Sequence, residues 1–172
     1  MGKRLVFTGA ESTGKTSMVN SLSAEYNIPF TEEFARNYLE SRSANFYQEH
    51  EVLRMAIGQH NDILDHSSQH PYLFCDTDLL TYLVWKDYKY GMVDADFLEL
   101  FQTSKGHHYL LFSPDIPWEH DPLREHPNSR WEIHERYLHY LKELNLDYTL
   151  VEGENMQRKK ICRKTIRNFL GL

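Results

Sequence analysis

Apolar residues along the chain fall into five short runs separated by longer stretches of helical spacing. Leu5-Val6-Phe7-Thr8, Ile28-Pro29-Phe30-Thr31, Tyr72-Leu73-Phe74-Cys75, Tyr109-Leu110-Leu111-Phe112 and Tyr148-Thr149-Leu150-Val151 have the length and composition of buried strands. Between them, apolar positions recur every three or four residues. Met18, Val19, Leu22 and Tyr26 mark a helix from Lys15, and Glu32 opens another stretch that runs through Leu39. Val52, Met55, Ala56, Ile63 and Leu64 mark a helix between Glu49 and His66, expected to end near Ser67-Ser68 and His70-Pro71. Leu79, Leu80, Leu83 and Val84 predict a helix closing at Gly91, and Tyr137, Leu138, Leu141 and Leu144 predict one more. Strands alternating with helices imply parallel pairing through right-handed crossovers, hence a three-layer α/β domain.

Composition narrows the chemistry. A chain of 172 residues is the size of one domain, so residues 1–172 are expected to fold as a unit. Its net charge of −6 supplies no basic excess for a duplex backbone, so no nucleic-acid partner is expected and small-molecule chemistry fits better. Cys75 and Cys162 stand in no metal-like spacing, which fits a reducing cytosol without a disulfide framework or zinc site. Met1-Gly2-Lys3-Arg4 enters the first strand without an apolar leader, and no apolar run is long enough to span a bilayer. A cytoplasmic location with no membrane partner is therefore expected; nothing in the sequence sets the oligomeric state.

The strongest motif follows the first strand. Gly9-Ala10-Glu11-Ser12-Thr13-Gly14-Lys15-Thr16 satisfies G-x-x-x-x-G-K-[ST] and opens directly into a helix, the order of a phosphate-binding loop. Glycines let the backbone wrap a polyphosphate, N–H groups at the helix start donate to it, and Lys15 adds a point charge at the β- and γ-phosphates. The Thr16 hydroxyl is placed to ligate Mg²⁺. The expected ligands are ATP and Mg²⁺.

A magnesium site also needs a carboxylate, commonly at the end of a buried strand beside the loop, and Asp76 occupies that place. Asp78 is a second candidate, for the metal or the acceptor; its alternative is to cap the helix beginning at Leu79. Glu33 and Arg36 after the second strand belong to the same rim, three residues apart on one helix face. There Glu33 suits proton acceptance or ribose binding and Arg36 a phosphate; a local ion pair at a helix N-terminus is the plainer account.

Phosphoryl transfer also needs cations over the moving group and exclusion of water, a task for a lid. Residues 114–130, rich in Pro, His and Arg, follow the fourth strand, and Arg124 and Arg130 are its candidate cations. Trp118 and Asp121 are candidate acceptor contacts, with Trp118 equally suited to a packing anchor. The resulting expectation is an α/β, three-layer P-loop kinase-like domain with a mostly parallel five-stranded sheet and a lid.

Taken together, the phosphate loop at 9–16, Glu33-Phe34-Ala35-Arg36, Asp76-Thr77-Asp78, and Pro117-Trp118 followed by Asp121, Leu123 and Arg124 resemble the NadR-type ribosylnicotinamide kinase domain, in the AAA_28 group of P-loop proteins. The likeness spans roughly residues 4 to 152. It implies ATP-dependent phosphorylation of the ribose 5′-hydroxyl of nicotinamide riboside to the mononucleotide. It further implies that Lys15 and Thr16 serve ATP and Mg²⁺, Asp76 the metal or acceptor hydroxyl, Glu33 and Arg36 the acceptor, and Arg124 and Arg130 the phosphates.

Other readings start from the same loop: a kinase of another nucleoside or nucleotide, or a P-loop ATPase or nucleotide-driven switch. No Asn-Lys-x-Asp guanine-reading element is present. His66 and His70 are read as solvated rather than as metal ligands, because Ser67-Ser68 is expected to break the helix between them. Arg158, Lys159, Lys160, Arg163, Lys164 and Arg167 among Ile161, Ile166 and Phe169 read as an amphipathic terminal helix with a charged outer face.

Overall fold

Alternation along the strands decides the layering. In the computed structural model, which describes residues 1–41, 47–91, 93–122, 124 and 126–172, the first strand β1 (Lys3–Thr8) sends Leu5 and Phe7 to one face and Val6 to the other. The same two-residue period continues in β3 (Tyr72–Asp76), where Phe74 joins Phe7 while Leu73 and Cys75 join Val6. It recurs in β4 (His108–Phe112), where Leu110 and Phe112 oppose Tyr109 and Leu111. With β2 (Phe30–Thr31) and β5 (Tyr148–Val151) the sheet has the order β2-β3-β1-β4-β5, every pairing parallel.

Helices cover both faces, as a parallel sheet requires. On the Phe7 side lie α1 (Lys15–Tyr26), burying Met18, Val19 and Leu22, and α7 (Asn155–Leu170), burying Cys162 and Ile166. Phe7 is the hub of that core, its ring centroid 5.5 Å from Phe74 and 6.0 Å from Phe112. The Val6 side carries α2 (Phe34–Glu40), α3 (Glu49–Gln69), α4 (Leu79–Tyr90), α5 (Ala95–Ser104) and α6 (Arg130–Glu143). Among the described residues no helix is long and apolar enough to cross a membrane.

One helix ends where expected but without the expected break at Ser67-Ser68, and two elements differ from the sequence reading. Helix α3 runs through Ser67 and Ser68, whose hydroxyls bond back to the carbonyls of Leu64 and Asp65, and it stops one residue before His70-Pro71. Helix α2 starts at Phe34 rather than Glu32, because side chains of other helices take its first N–H groups: Phe34 N donates to Gln59 Oε1 at 2.8 Å and Ala35 N to Tyr82 Oη at 3.1 Å. Glu33 is thereby left in extended backbone ahead of the helix. Helix α5, which buries Phe97 and Phe101 one turn apart, was not anticipated.

Asp78 takes the capping alternative. Its Oδ1 accepts from Leu80 N at 3.0 Å and its Oδ2 from the Tyr109 hydroxyl at 2.7 Å, inside the core. Burial pushes its carboxyl up to about 6, against the pull of those hydrogen bonds. Because the folded value lies above the ordinary one, the favourable contribution of Asp78 is complete below about pH 3.8 and is lost as pH rises through about 6. Replacing it with asparagine removes that dependence. Urea unfolding from pH 4 to 7 should show Asp78→Asn gaining stability relative to wild type as pH rises, by about 3 kcal/mol at most. A stability difference that stays constant with pH would contradict the buried-acid assignment.

Candidate functional site

The loop between β1 and α1 is shaped by two glycines for different reasons. Gly9 has φ 131°, and a Cβ there would lie 2.6 Å from the Phe112 carbonyl oxygen on β4, so the loop can fold back over the sheet edge only without a side chain. Gly14 has φ 79° at the start of α1, with no side-chain cap, which leaves the first-turn N–H groups aimed at whatever fills the loop. Inside the loop the Ala10 carbonyl accepts both Thr13 Oγ1 and Lys15 Nζ, each at 2.8 Å. Burial pushes the Lys15 ammonium below the usual lysine range, while Glu33, Asp76 and Glu11 pull it back up.

The β1–β3 register sets Asp76 beside Phe7, at the end of its strand and next to the loop. Thr16 Oγ1 donates to Asp76 Oδ2 at 2.6 Å, and Asp76 Oδ1 is buried with no partner. A hydroxyl and a carboxylate with an unused oxygen, next to an anion cradle, suit a hard divalent cation. Burial raises the Asp76 carboxyl, with the Thr16 hydrogen bond and Lys15 opposing. Thr77 is held at φ 69°, a conformation that a β-branched residue adopts only when its surroundings impose it; its N–H donates to Phe7 O at 3.0 Å.

From the loop a cavity of about 480 Å³ extends across the carboxyl ends of the strands. Glu11, Ser12, Thr13, Lys15 and Thr16 line one end. The other is walled by Ala35, Leu39, Tyr47, Trp85, Tyr88 and Ile133, with Arg36 and Lys89 among them. Glu33 lines the cavity too, its carboxyl raised by burial, lowered by Lys15 and raised by Asp76. Arg36 does not share a helix face with Glu33; its ion pairs run to Asp121 at 3.1 Å and Glu40 at 3.3 Å.

The segment after β4 is folded down onto the phosphate loop. Glu119 N donates to Ser12 Oγ at 2.8 Å, Arg130 Nη1 to Ser12 O at 3.2 Å, and His126 N to Glu11 Oε1. Arg124 bonds Ser12 Oγ at 3.3 Å and lines the cavity. The guanidinium groups of Arg124 and Arg130 lie 5.9 and 5.8 Å from the Trp118 ring centroid, the contacts of a packing anchor within the segment. Trp118, Asp121, Asp78, Arg130 and Asp76 are not among the described residues that border the cavity: the first two brace the segment, Asp78 caps α4, Arg130 bonds backbone carbonyls, and Asp76 meets the site through Thr16, which does border it. Leu123 lies outside the described residues.

Sequence reasoning missed the aromatic wall and one arginine. Thr81, Trp85 and Tyr88 follow one another at four and three residues on α4, a spacing beside the Leu79, Leu80, Leu83 and Val84 pattern from which the sequence reading places the helix. Arg158, read as part of a charged outer face, is 3% exposed and borders the cavity. His66 Nδ1 lies 2.8 Å from the Asp62 carbonyl, and among the described residues no group of three His, Cys, Asp or Glu side chains is gathered.

Residues 4–159 match the AAA_28 family, described as an AAA domain. A curated relative, the trifunctional NAD biosynthesis/regulator protein NadR of Escherichia coli (strain K12), is 26% identical over 98% of this chain and 43% of its own length. Two crystal structures of NadR, one with NAD and AMP-PNP and one with NR, superpose with TM-scores of 0.81 and 0.85 at 23% identity. Each covers 99% of this chain, which spans 50% and 51% of theirs. A thymidylate kinase from Ehrlichia chaffeensis shares the fold over 98% of both chains, with TM-score 0.68 and 14% identity. The chain thus spans about half the length of the NadR proteins it matches, and its fold is that of nucleoside and nucleotide kinases.

The two glycines should respond differently to alanine. Gly9→Ala meets a backbone oxygen that cannot move aside, whereas Gly14→Ala meets only Ile116 Cδ1 at 3.8 Å and bears conformational strain alone. Denaturant unfolding should show Gly14→Ala costing about 1 kcal/mol and Gly9→Ala about 3 kcal/mol or more. Equal losses would contradict the close approach at Phe112.

Proposed function

The chain belongs to the AAA_28 family, and from that premise we propose that it is an ATP-dependent kinase that phosphorylates the ribose 5′-hydroxyl of nicotinamide riboside to give nicotinamide mononucleotide. One observation carries the proposal. A single cavity has a phosphate cradle at one end and an aromatic wall at the other, with Glu33 lining it as well. In this reading residues 1–172 act as one kinase domain in the cytoplasm, with about 114–130 as the lid.

The cradle receives the triphosphate through backbone N–H groups of residues 9–16, and Lys15 exchanges its bond to the Ala10 carbonyl for β- and γ-phosphate oxygens. Thr16 and Asp76 would hold Mg²⁺, which when bound neutralises charge on those phosphates. Tyr88 and Trp85 face the acceptor ring, where the positive charge of a nicotinamide riboside pyridinium favours aromatic faces over an uncharged base. Glu33 accepts a hydrogen bond from the 5′-hydroxyl; burial raises its carboxyl and so its affinity for the departing proton. The 5′-oxygen forms a bond to the γ-phosphorus as the bond to the β,γ-bridging oxygen breaks, ADP leaves, and Arg124 from the lid compensates charge on the moving group.

A second reading has its own support. Arg36 and Lys89 stand at the acceptor end, where an acceptor's own phosphate would find cations, as in a nucleoside monophosphate kinase. Steady-state ADP release with ATP, Mg²⁺ and a panel of nicotinamide riboside, pyrimidine nucleosides and nucleoside monophosphates separates the two. The expected result is acceptor-dependent turnover highest with nicotinamide riboside; a preference for a monophosphate selects the second reading, and a rate indifferent to acceptor removes both. Lys15→Ala should lower turnover by at least ~10²-fold with the melting temperature nearly unchanged. Wild-type turnover in that variant would contradict the role given to Lys15.

A further inference from the structure

Arg158 sits on the first turn of α7, yet it points away from solvent, and every bond it makes reaches a loop at the carboxyl end of the sheet. Its Nη1 donates to the Thr13 carbonyl of the phosphate loop at 2.8 Å, and its Nη2 to the Ser113 carbonyl, where the chain leaves β4 for the lid, also at 2.8 Å. Its Nε donates to the Gly153 carbonyl in the turn between β5 and α7 at 2.6 Å, and Nη2 also pairs with the Asp115 carboxylate at the root of the lid. Asp115 closes the circuit by accepting from Gly153 N at 2.6 Å.

A buried guanidinium is costly unless charge and donors are both satisfied, and here one carboxylate and three carbonyls satisfy it. The planar fork is what the arrangement uses: donors pointing in fixed, divergent directions meet three separate loops, which a lysine's single nitrogen cannot do. The line of bonds continues into the cradle. Thr13, held by its carbonyl, donates its hydroxyl to the Ala10 carbonyl, the same oxygen that holds Lys15 Nζ.

We propose that Arg158, with Asp115, is a positioning residue that fixes the phosphate loop and the root of the lid relative to one another, so that nucleotide affinity depends on it although four of its five N–H donors are spent on the protein. This rests on the kinase reading only in taking the cradle as a nucleotide site; it does not depend on the acceptor. A staple that served folding alone would lower stability and leave the affinity of the folded protein unchanged.

The test measures Mg²⁺–AMP-PNP binding by calorimetry on the full chain, well below the melting temperature of each variant. Arg158→Lys should weaken binding at least ~10-fold, and Asp115→Asn, which keeps the arginine and loses one of two accepted bonds, by about 3- to 10-fold. Millimolar guanidinium should restore part of the affinity in Arg158→Ala and leave wild type unaffected. If the Arg158 variants do not fold, Asp115→Asn decides. Wild-type affinity in folded Arg158→Lys or in Asp115→Asn, or absence of guanidinium rescue in a folded Arg158→Ala, overturns the proposal. A wild type that binds nucleotide without phosphorylating any acceptor removes the kinase reading and leaves this one standing, whereas a wild type that binds no nucleotide removes both.

Discussion

A hydrogen bond of 2.6 Å from Thr16 to Asp76 joins the first turn of α1 to the end of β3, and the site is organised around it. It exists because β1 and β3 are parallel neighbours in a register that sets Phe7 opposite Asp76, so the loop leaving β1 and the carboxylate ending β3 emerge side by side. The sheet's two cores hold that register, one around Phe7 and one around Val6. The charges that result are crowded: burial shifts Lys15, Asp76 and Glu33 each toward its neutral form, Lys15 opposes that shift at both carboxylates and they oppose it at Lys15, while Asp76 adds to it at Glu33. Such a balance is poised for a polyanion and a divalent cation, which would satisfy Lys15 and the unused Asp76 oxygen together.

The segment after β4 adds the second constraint. It is braced to the phosphate loop through Ser12 and Glu11, to α2 through the Arg36–Asp121 pair, and at its root through Asp115. Arg124 alone among its described arginines reaches the cavity wall, while Arg130 and Trp118 hold the segment in shape. In the proposed reaction this division of labour would put one cation, Arg124, beside the phosphoryl group while the other residues hold the segment over the loop.

What could be read from the residues depended on whether a local pattern had one physical meaning. The five strands were legible because short apolar runs between polar turns leave few alternatives in a chain of this size, and the loop at 9–16 was legible as a glycine turn because a strand ends at Thr8 and helical spacing begins at Lys15. Asp78 was ambiguous between site and cap, and only its contacts with Leu80 and Tyr109 decide. The aromatic wall of the cavity was hidden because Trp85 and Tyr88 on α4 follow the same spacing as the core residues of that helix. Arg158 was hidden for the converse reason: a charged residue on a basic amphipathic helix looks solvated until its long-range partners are known. Helix α5 was not legible because Phe97 and Phe101 are its only buried apolar residues, a single repeat that does not distinguish helix from loop.

The central claim is that the loop between Gly9 and Thr16 presents a terminal phosphoryl group to an alcohol rather than to water. Phosphorus NMR of the protein with ATP, Mg²⁺ and nicotinamide riboside follows that group directly. The γ-phosphoryl signal should reappear as a phosphomonoester of the ribose, in step with ADP. Recovery of the phosphorus as inorganic phosphate alone, with the riboside unchanged, would contradict it.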